Sequence, residues 1–250
     1  MAEQRYYFDH ETAYQRIRQN NEVGWQKKTL ADFRSVETEA VIAPLIAKYI
    51  SNAKQKTALD LGCGSGPTAH FLADLGFKAS GIDISPSAIE LANEMATRFN
   101  KDILFEVGDV LELEHREETY DLIYDSHCIH CVVLDTDRRR LFHAIAAALK
   151  TGGIFILDTM AFRASADVCA RPEPLRFDDD YILWHRTKKS SMSGVVEHEG
   201  ELWCPQRRIY PEKLILDELT AAGLRIVETS LEDQGSAQPF MLRAVCTPSG

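Results

Sequence analysis

The sequence predicts an α/β domain built on a mostly parallel sheet, and three observations carry that prediction. Apolar strand-like runs alternate with helical patterns from residue 54 to 160; the first run ends in a glycine cluster; and residues 161 to 250 abandon the alternation. Strands separated by helices pair in parallel through right-handed crossovers, because a crossover helix packs back onto the sheet only with that hand.

The first element is Thr57-Ala-Leu-Asp-Leu-Gly-Cys-Gly-Ser-Gly66, an apolar run closing on glycines at 62, 64 and 66. It reads as a buried parallel strand whose exit loop approaches a ligand, since a Cβ there would block both positive φ angles and the approach of backbone N–H groups. The spacing is G-x-G-x-G, not the G-x-G-x-x-G of a dinucleotide fold, and Asp60 ahead of it would repel a pyrophosphate. A ligand with a cationic end suits it better. Asp60 to Gly66 closely resembles the first motif of the class I S-adenosylmethionine (SAM) dependent methyltransferases, whose ligand carries a sulfonium and an ammonium.

The next elements follow in that family's order. Lys78-Ala-Ser-Gly-Ile-Asp-Ile84 is a second strand whose Asp83 lies 21 residues after Gly62, near the spacing at which an acid meets ribose hydroxyls. Ser85 and Pro86 are the N-cap and first turn of a helix through Ile89, Ala92, Met95, Ala96 and Phe99. A third strand, 103–110, exits at Asp109, where the resemblance implies a contact to the adenine amino group. The fourth, 120–125, leads into Ser126-His-Cys128, and 149–157 supplies a turn and the fifth strand.

Over roughly 57 to 247, the resemblance implies a Rossmann-like seven-stranded mostly parallel sheet with an antiparallel C-terminal strand. An N-terminal helical cap and a small antiparallel β insertion after the fifth strand complete the expected fold. It implies SAM as cofactor, S-adenosylhomocysteine (SAH) as product, and a cofactor-binding set of Trp25, Asp60, Gly62, Cys63, Gly64, Gly66, Asp83, Ile84, Asp109, Val110, Asp125 and Ser126. Trp25 enters because a tryptophan face attracts a sulfonium; burial against the core explains it equally well. Tyr6 and Tyr7 are further lid candidates.

The expected organisation is one domain: a helical cap over 1–53, a SAM-binding core over 54–160, a substrate-side insertion over 161–210, and a C-terminal helix and strand pair over 211–250. In the cap, Pro44 should kink or begin a helix carrying Ile42, Leu45, Ile46, Tyr49 and Ile50. In the insertion, Arg171-Pro-Glu-Pro174 and Asp178-Asp-Asp180 mark a loop, and 181–187 and 195–203 read as two strands joined across 190–194. Trp184, His185, Trp203 and Tyr210 are expected to face the cofactor side. A last helix begins at Pro211 and stops at Gly223.

SAM brings its own electrophile, so the protein must align acceptor and methyl and exclude water. An acceptor that carries a proton also needs a base, for which His127 and His130 beyond the fourth strand are the candidates; they fit equally as helix-terminus or core histidines. His127-Cys-Ile-His-Cys131 has metal-ligand chemistry but no second ligand pair at matching spacing, so no metal is expected.

At 250 residues, with 45% hydrophobic and 26% charged residues, the chain can bury a large core. A net charge of −10 disfavours a polyanionic partner, because nucleic-acid affinity draws on Lys and Arg at phosphates. The basic clusters at 138–140, 186–189 and 207–208 are short. No apolar run reaches a membrane span and no signal-peptide core opens the chain, so a cytoplasmic monomer or homodimer with six free thiols is expected. The reading is an enzyme methylating N, O or S of a small molecule. The alternatives are a methyltransferase for RNA or protein, or a non-catalytic SAM-binding module.

Overall fold

Strand β1 (Thr57–Leu61) is buried at every position after the first, as an apolar run in the middle of a sheet requires. The structure, a computed structural model, describes residues 5–25, 29–33, 39–162, 175–189, 192–235 and 239–249. On either side of β1 lie β2 (Lys78–Asp83) and β4 (Tyr120–Ser126), both parallel to it; β3 (Leu104–Val107) extends the sheet beyond β2. Beyond β4 comes β5 (Leu149–Ala161), then β11 (Phe240–Pro248), and β10 (Leu224–Glu232) at the edge, giving the order β10-β11-β5-β4-β1-β2-β3. Only β11 runs against its neighbours, so six strands are parallel and one antiparallel. The Rossmann-like fold with its antiparallel C-terminal strand is as expected.

Helices α3 (Pro67–Asp74), α4 (Pro86–Arg98) and α5 (Asp135–Ala148) are the crossovers, and two apolar clusters, one around Phe155 and Leu61, the other around Leu72 and Ile156, fill the layers. Ser85 caps α4 as expected, its Oγ accepting from Ala88 N at 3.0 Å. The last helix, α6 (Glu212–Ala221), follows Pro211 and ends before Gly223, which has φ +81°. No helix among the described residues is long and apolar enough to cross a membrane.

Of the two alternatives for Pro44, the start of a helix is excluded: it lies inside α2 (Glu39–Tyr49), whose buried stripe is Ile42 and Ile46. The insertion is a four-stranded sheet, β6 (Leu175–Phe177), β7 (Ile182–Thr187), β8 (Val196–His198) and β9 (Glu201–Arg208), in the order β6-β7-β9-β8. The single strand expected over 195–203 is a hairpin, because Glu199 and Gly200 both take positive φ, +54° and +78°, and turn the chain in two residues. Arg171 to Pro174 and Cys169 lie outside the described residues.

The N-terminal segment crosses the carboxyl ends of the parallel strands. Helix α1 (Asp9–Gln19) packs on α4 through Tyr14, Ile17, Ala88, Leu91 and Met95. Glu11 anchors it by accepting from Ser85 Oγ at 2.6 Å, Ser87 Oγ at 2.7 Å and Ser87 N at 3.1 Å. Burial opposes the charge on Glu11, but the hydrogen bonds from Ser85 and Ser87 prevail and hold its carboxyl below the usual range. Ser65 Oγ, donating to Val23 O at 2.6 Å, ties the same segment to the glycine loop.

Candidate functional site

The glycine loop is shaped by what stands against it. Gly64 has φ +56°, and a Cβ on it would lie 2.0 Å from the Tyr14 hydroxyl; Gly62 has φ +62°, and its Cβ would lie 2.6 Å from that of Cys128. Both the backbone angle and the missing side chain are therefore required. Gly64 N donates to Asp83 Oδ2 at 2.9 Å, and Ser85 N donates to Asp83 Oδ1 at 2.9 Å, so one carboxylate holds the ends of β1 and β2 in register.

Below the loop lies a cavity of about 500 Å³ at the carboxyl ends of β1, β2 and β4, within the range of small-molecule sites. Trp25, Asp60, Gly62, Cys63, Gly64, Asp83, Ile84, Asp109, Val110, Ser126, His127 and His130 all line it. Gly66 and Asp125 do not. Gly66 is the N-cap of α3, packed on Phe105, and Asp125 is fully buried, its Oδ1 accepting from Cys128 N at 3.1 Å and Ile129 N at 2.9 Å to hold the turn Ile129–Cys131.

The acids in and beneath the cavity are starved of solvent. Burial, reinforced by Asp125 and Asp83, pushes Asp60 well above the usual carboxylate range, and its Oδ2 is buried without a hydrogen-bond partner. Asp83 is pushed up to about 6 by burial, with the Ser85 and Gly64 N–H groups opposing the shift. Asp125 is pushed up to about 8 by burial and by Asp158. A cation placed here would supply the countercharge that these buried carboxyls lack and so favour their ionised forms. Asp109 is already engaged: Oδ2 accepts the Tyr7 hydroxyl at 2.7 Å and Oδ1 accepts Leu111 N at 3.0 Å.

The two candidate bases differ sharply. His127 is exposed at the end of β4 and holds φ +67°, a conformation that costs a non-glycine residue on the order of 1–2 kcal/mol. Its N–H donates to Asp158 O at 3.1 Å, which fixes the bend. His130 is 3% exposed, 5.7 Å ring to ring from His127, and burial drives its protonation far below the usual range, with Arg207, His127 and His10 adding repulsion. It is a neutral imidazole at neutral pH.

The inserted sheet contributes differently from expectation. Trp184 and Trp203 are buried in the core, Trp184 Nε1 donating to Asp178 at 2.6 Å; His185 faces Asp9 at 3.5 Å; Tyr210 packs against Arg208. None of the four lines the cavity. Arg207 of β9 does, together with Met160 at the end of β5 and His10, Tyr14 and Val23 from the N-terminal segment. These lie far from the glycine loop in sequence, and no local pattern marks them. Among the described residues, the histidines and cysteines of 127–131 form no metal-ligand group; Asp9, His185 and Cys204 do approach one another, but Lys189 Nζ already holds Asp9 at 2.6 Å.

Residues 58–153 match the family model for a methyltransferase domain. Norajmaline N-methyltransferase of Rauvolfia serpentina is 28% identical over 133 residues, 52% of this chain and 44% of that protein. Ubiquinone biosynthesis O-methyltransferase of Coxiella burnetii is 30% identical over 123 residues, 48% of this chain and 51% of that protein. The matches thus span about half of the length of these relatives. A protein of Pyrococcus horikoshii OT3 has a solved structure that covers 95% of this chain and 98% of its own at TM-score 0.66 and 19% identity, a likeness of fold.

Proposed function

We propose, from the match of residues 58–153 to a methyltransferase domain and from the sheet order, that the chain is a class I, Rossmann-like, SAM-dependent methyltransferase acting on a small organic acceptor. The observation that carries the reading is the unpartnered, buried Oδ2 of Asp60 in the wall of a cavity closed by the glycine loop. An ammonium group such as the one SAM carries would give that oxygen both a hydrogen-bond donor and a countercharge. The residues fit the cofactor in its other parts as well. Asp83 has lone pairs left for ribose hydroxyls after its two backbone bonds, Val110 and Ile84 offer apolar walls, and Trp25 stands at the rim, edge-on to Tyr14 at 5.7 Å.

SAM supplies an electrophilic methyl group, so no covalent nucleophile is asked of the chain. Its residues position the acceptor, exclude water under α1, and, for acceptors that carry a proton, take that proton at His127. His130, held neutral by burial, serves as a hydrogen-bonding wall. The net charge of −10 and a cavity of this size favour a small molecule over a nucleic acid, and the insertion over 161–210, whose Arg207 lines the cavity, is the acceptor side of the domain. The test is calorimetric binding of SAM and SAH, followed by a turnover screen of amine, thiol, phenol and carboxylate metabolites read by SAH release. Micromolar binding with turnover of one class is expected; a folded chain that binds neither SAM nor SAH would overturn the proposal.

A further inference from the structure

The cavity is electrically divided. Its acids, Asp60, Asp83 and Asp109, line the end beneath the glycine loop and the β2 and β3 exits. The other end gathers His10 from α1, His127 and His130 from the β4 exit, and Arg207 from β9, with no carboxylate among the described residues that line it. Arg207 differs from the arginines nearby. Arg208 is paired with Asp135 at 2.9 Å and Arg138 with Glu218 at 2.6 Å, whereas Arg207 lies against the Cys131 thiol and meets no carboxylate among the described residues.

A second observation points to the same spot. His130 is 3% exposed, lines the cavity, and has its Nδ1 buried with no hydrogen-bond partner. A buried polar atom left unpaired in the free protein is a place where a ligand can supply the missing bond. A guanidinium beside it offers a planar fork of donors that matches a carboxylate in a bidentate pair.

Resting on the methyltransferase reading above, we propose that the acceptor is a small organic acid whose carboxylate seats on Arg207 and reaches Nδ1 of His130. The charge count selects a carboxylate over a phosphate. Arg207 is the one arginine or lysine among the described residues that line the cavity, and one guanidinium balances one negative charge, whereas a phosphomonoester carries about −1.5 to −2 at pH 7. The division also keeps the two ligands apart: the cationic cofactor is drawn to the acidic end and the anionic acceptor to the basic end, so each enters its own half. A carboxylate anchored at Arg207 then turns the rest of the molecule toward the acidic end, which is an orienting role.

The experiment titrates the full chain, saturated with SAH, with a panel of small aromatic and aliphatic carboxylates, each beside its primary amide. At least one acid should bind roughly ten- to a hundredfold tighter than its amide, the loss expected for a charge-assisted bond. That preference should fall to about twofold or less in Arg207→Gln and be retained only in part in Arg207→Lys, which keeps the charge without the fork, with SAH affinity unchanged in both. The proposal is overturned if no acid outbinds its amide, or if the preference persists in Arg207→Gln. Failure of the wild-type chain to bind SAH would overturn the methyltransferase reading and this inference with it.

Discussion

The two ends of the cavity are built by different rules. The acidic end is made of successive strand exits, β1 at 60–66, β2 at 83–85 and β3 at 109–110, the first two joined by backbone hydrogen bonds from Gly64 and Ser85 to one carboxylate. The basic end is made of side chains from α1, the β4 exit, β5 and β9, brought together only by the fold. Backbone geometry decides the first and long-range packing decides the second. A ligand shared by many enzymes suits a local, backbone-built half, while the acceptor, which varies, suits a half assembled from exchangeable elements.

The largest expected effect breaks the acidic end alone. Gly64→Val places a Cβ against the Tyr14 hydroxyl at a φ of +56°, and SAH affinity should drop more than a hundredfold. Circular dichroism should show a retained fold, and unchanged calorimetric affinity in that variant would contradict the site. Asp83→Ala comes next. It removes the acceptor of two N–H bonds and the expected ribose contact, so SAH should bind about ten- to a hundredfold more weakly by titration.

Within the basic end, His127→Asn should lower kcat about tenfold or more while SAH affinity stays within about twofold, the pattern of an interaction made only in the transition state. Equal losses in both quantities would move His127 into the cofactor half. The smallest effect is one of pH. Asp83 titrates at about 6, so its neutral form accumulates as pH falls through that value and the anionic acceptor of the acidic end is lost. SAH affinity should therefore fall severalfold between pH 7.5 and pH 5, and the decrease should vanish in Asp83→Asn, a comparison that isolates this carboxylate from the others.

Most of the acidic end was legible in residue order, because its parts are glycines at fixed offsets and acids at strand exits, and these features report backbone needs that any chain expresses locally. Val110 and Ile84 follow from the same alignment. Asp125 shows where that reasoning fails: its position at a strand exit is right, yet its carboxylate turns inward to hold the Ile129–Cys131 turn. The insertion shows another failure. Alternating residues announced strands, but the split at Glu199-Gly200 and the burial of Trp184 and Trp203 depend on pairing and packing partners that lie elsewhere in the chain.

The sequence by itself determined the fold class, the parallel order of the core strands, the glycine loop and the acids at the strand exits, since periodicity, caps and glycine spacing act over a few residues. The tertiary structure alone decided that Tyr14 would close on Gly64, that Tyr7 would bond Asp109 across a separation of 102 residues, and that Arg207 rather than an inserted aromatic would face the cavity. Those contacts join segments whose meeting is set by the burial of whole faces, by the register of β7 against β9, and by the anchoring of α1 on α4. No local pattern encodes which of a segment's polar side chains will be left pointing inward when its apolar face is buried.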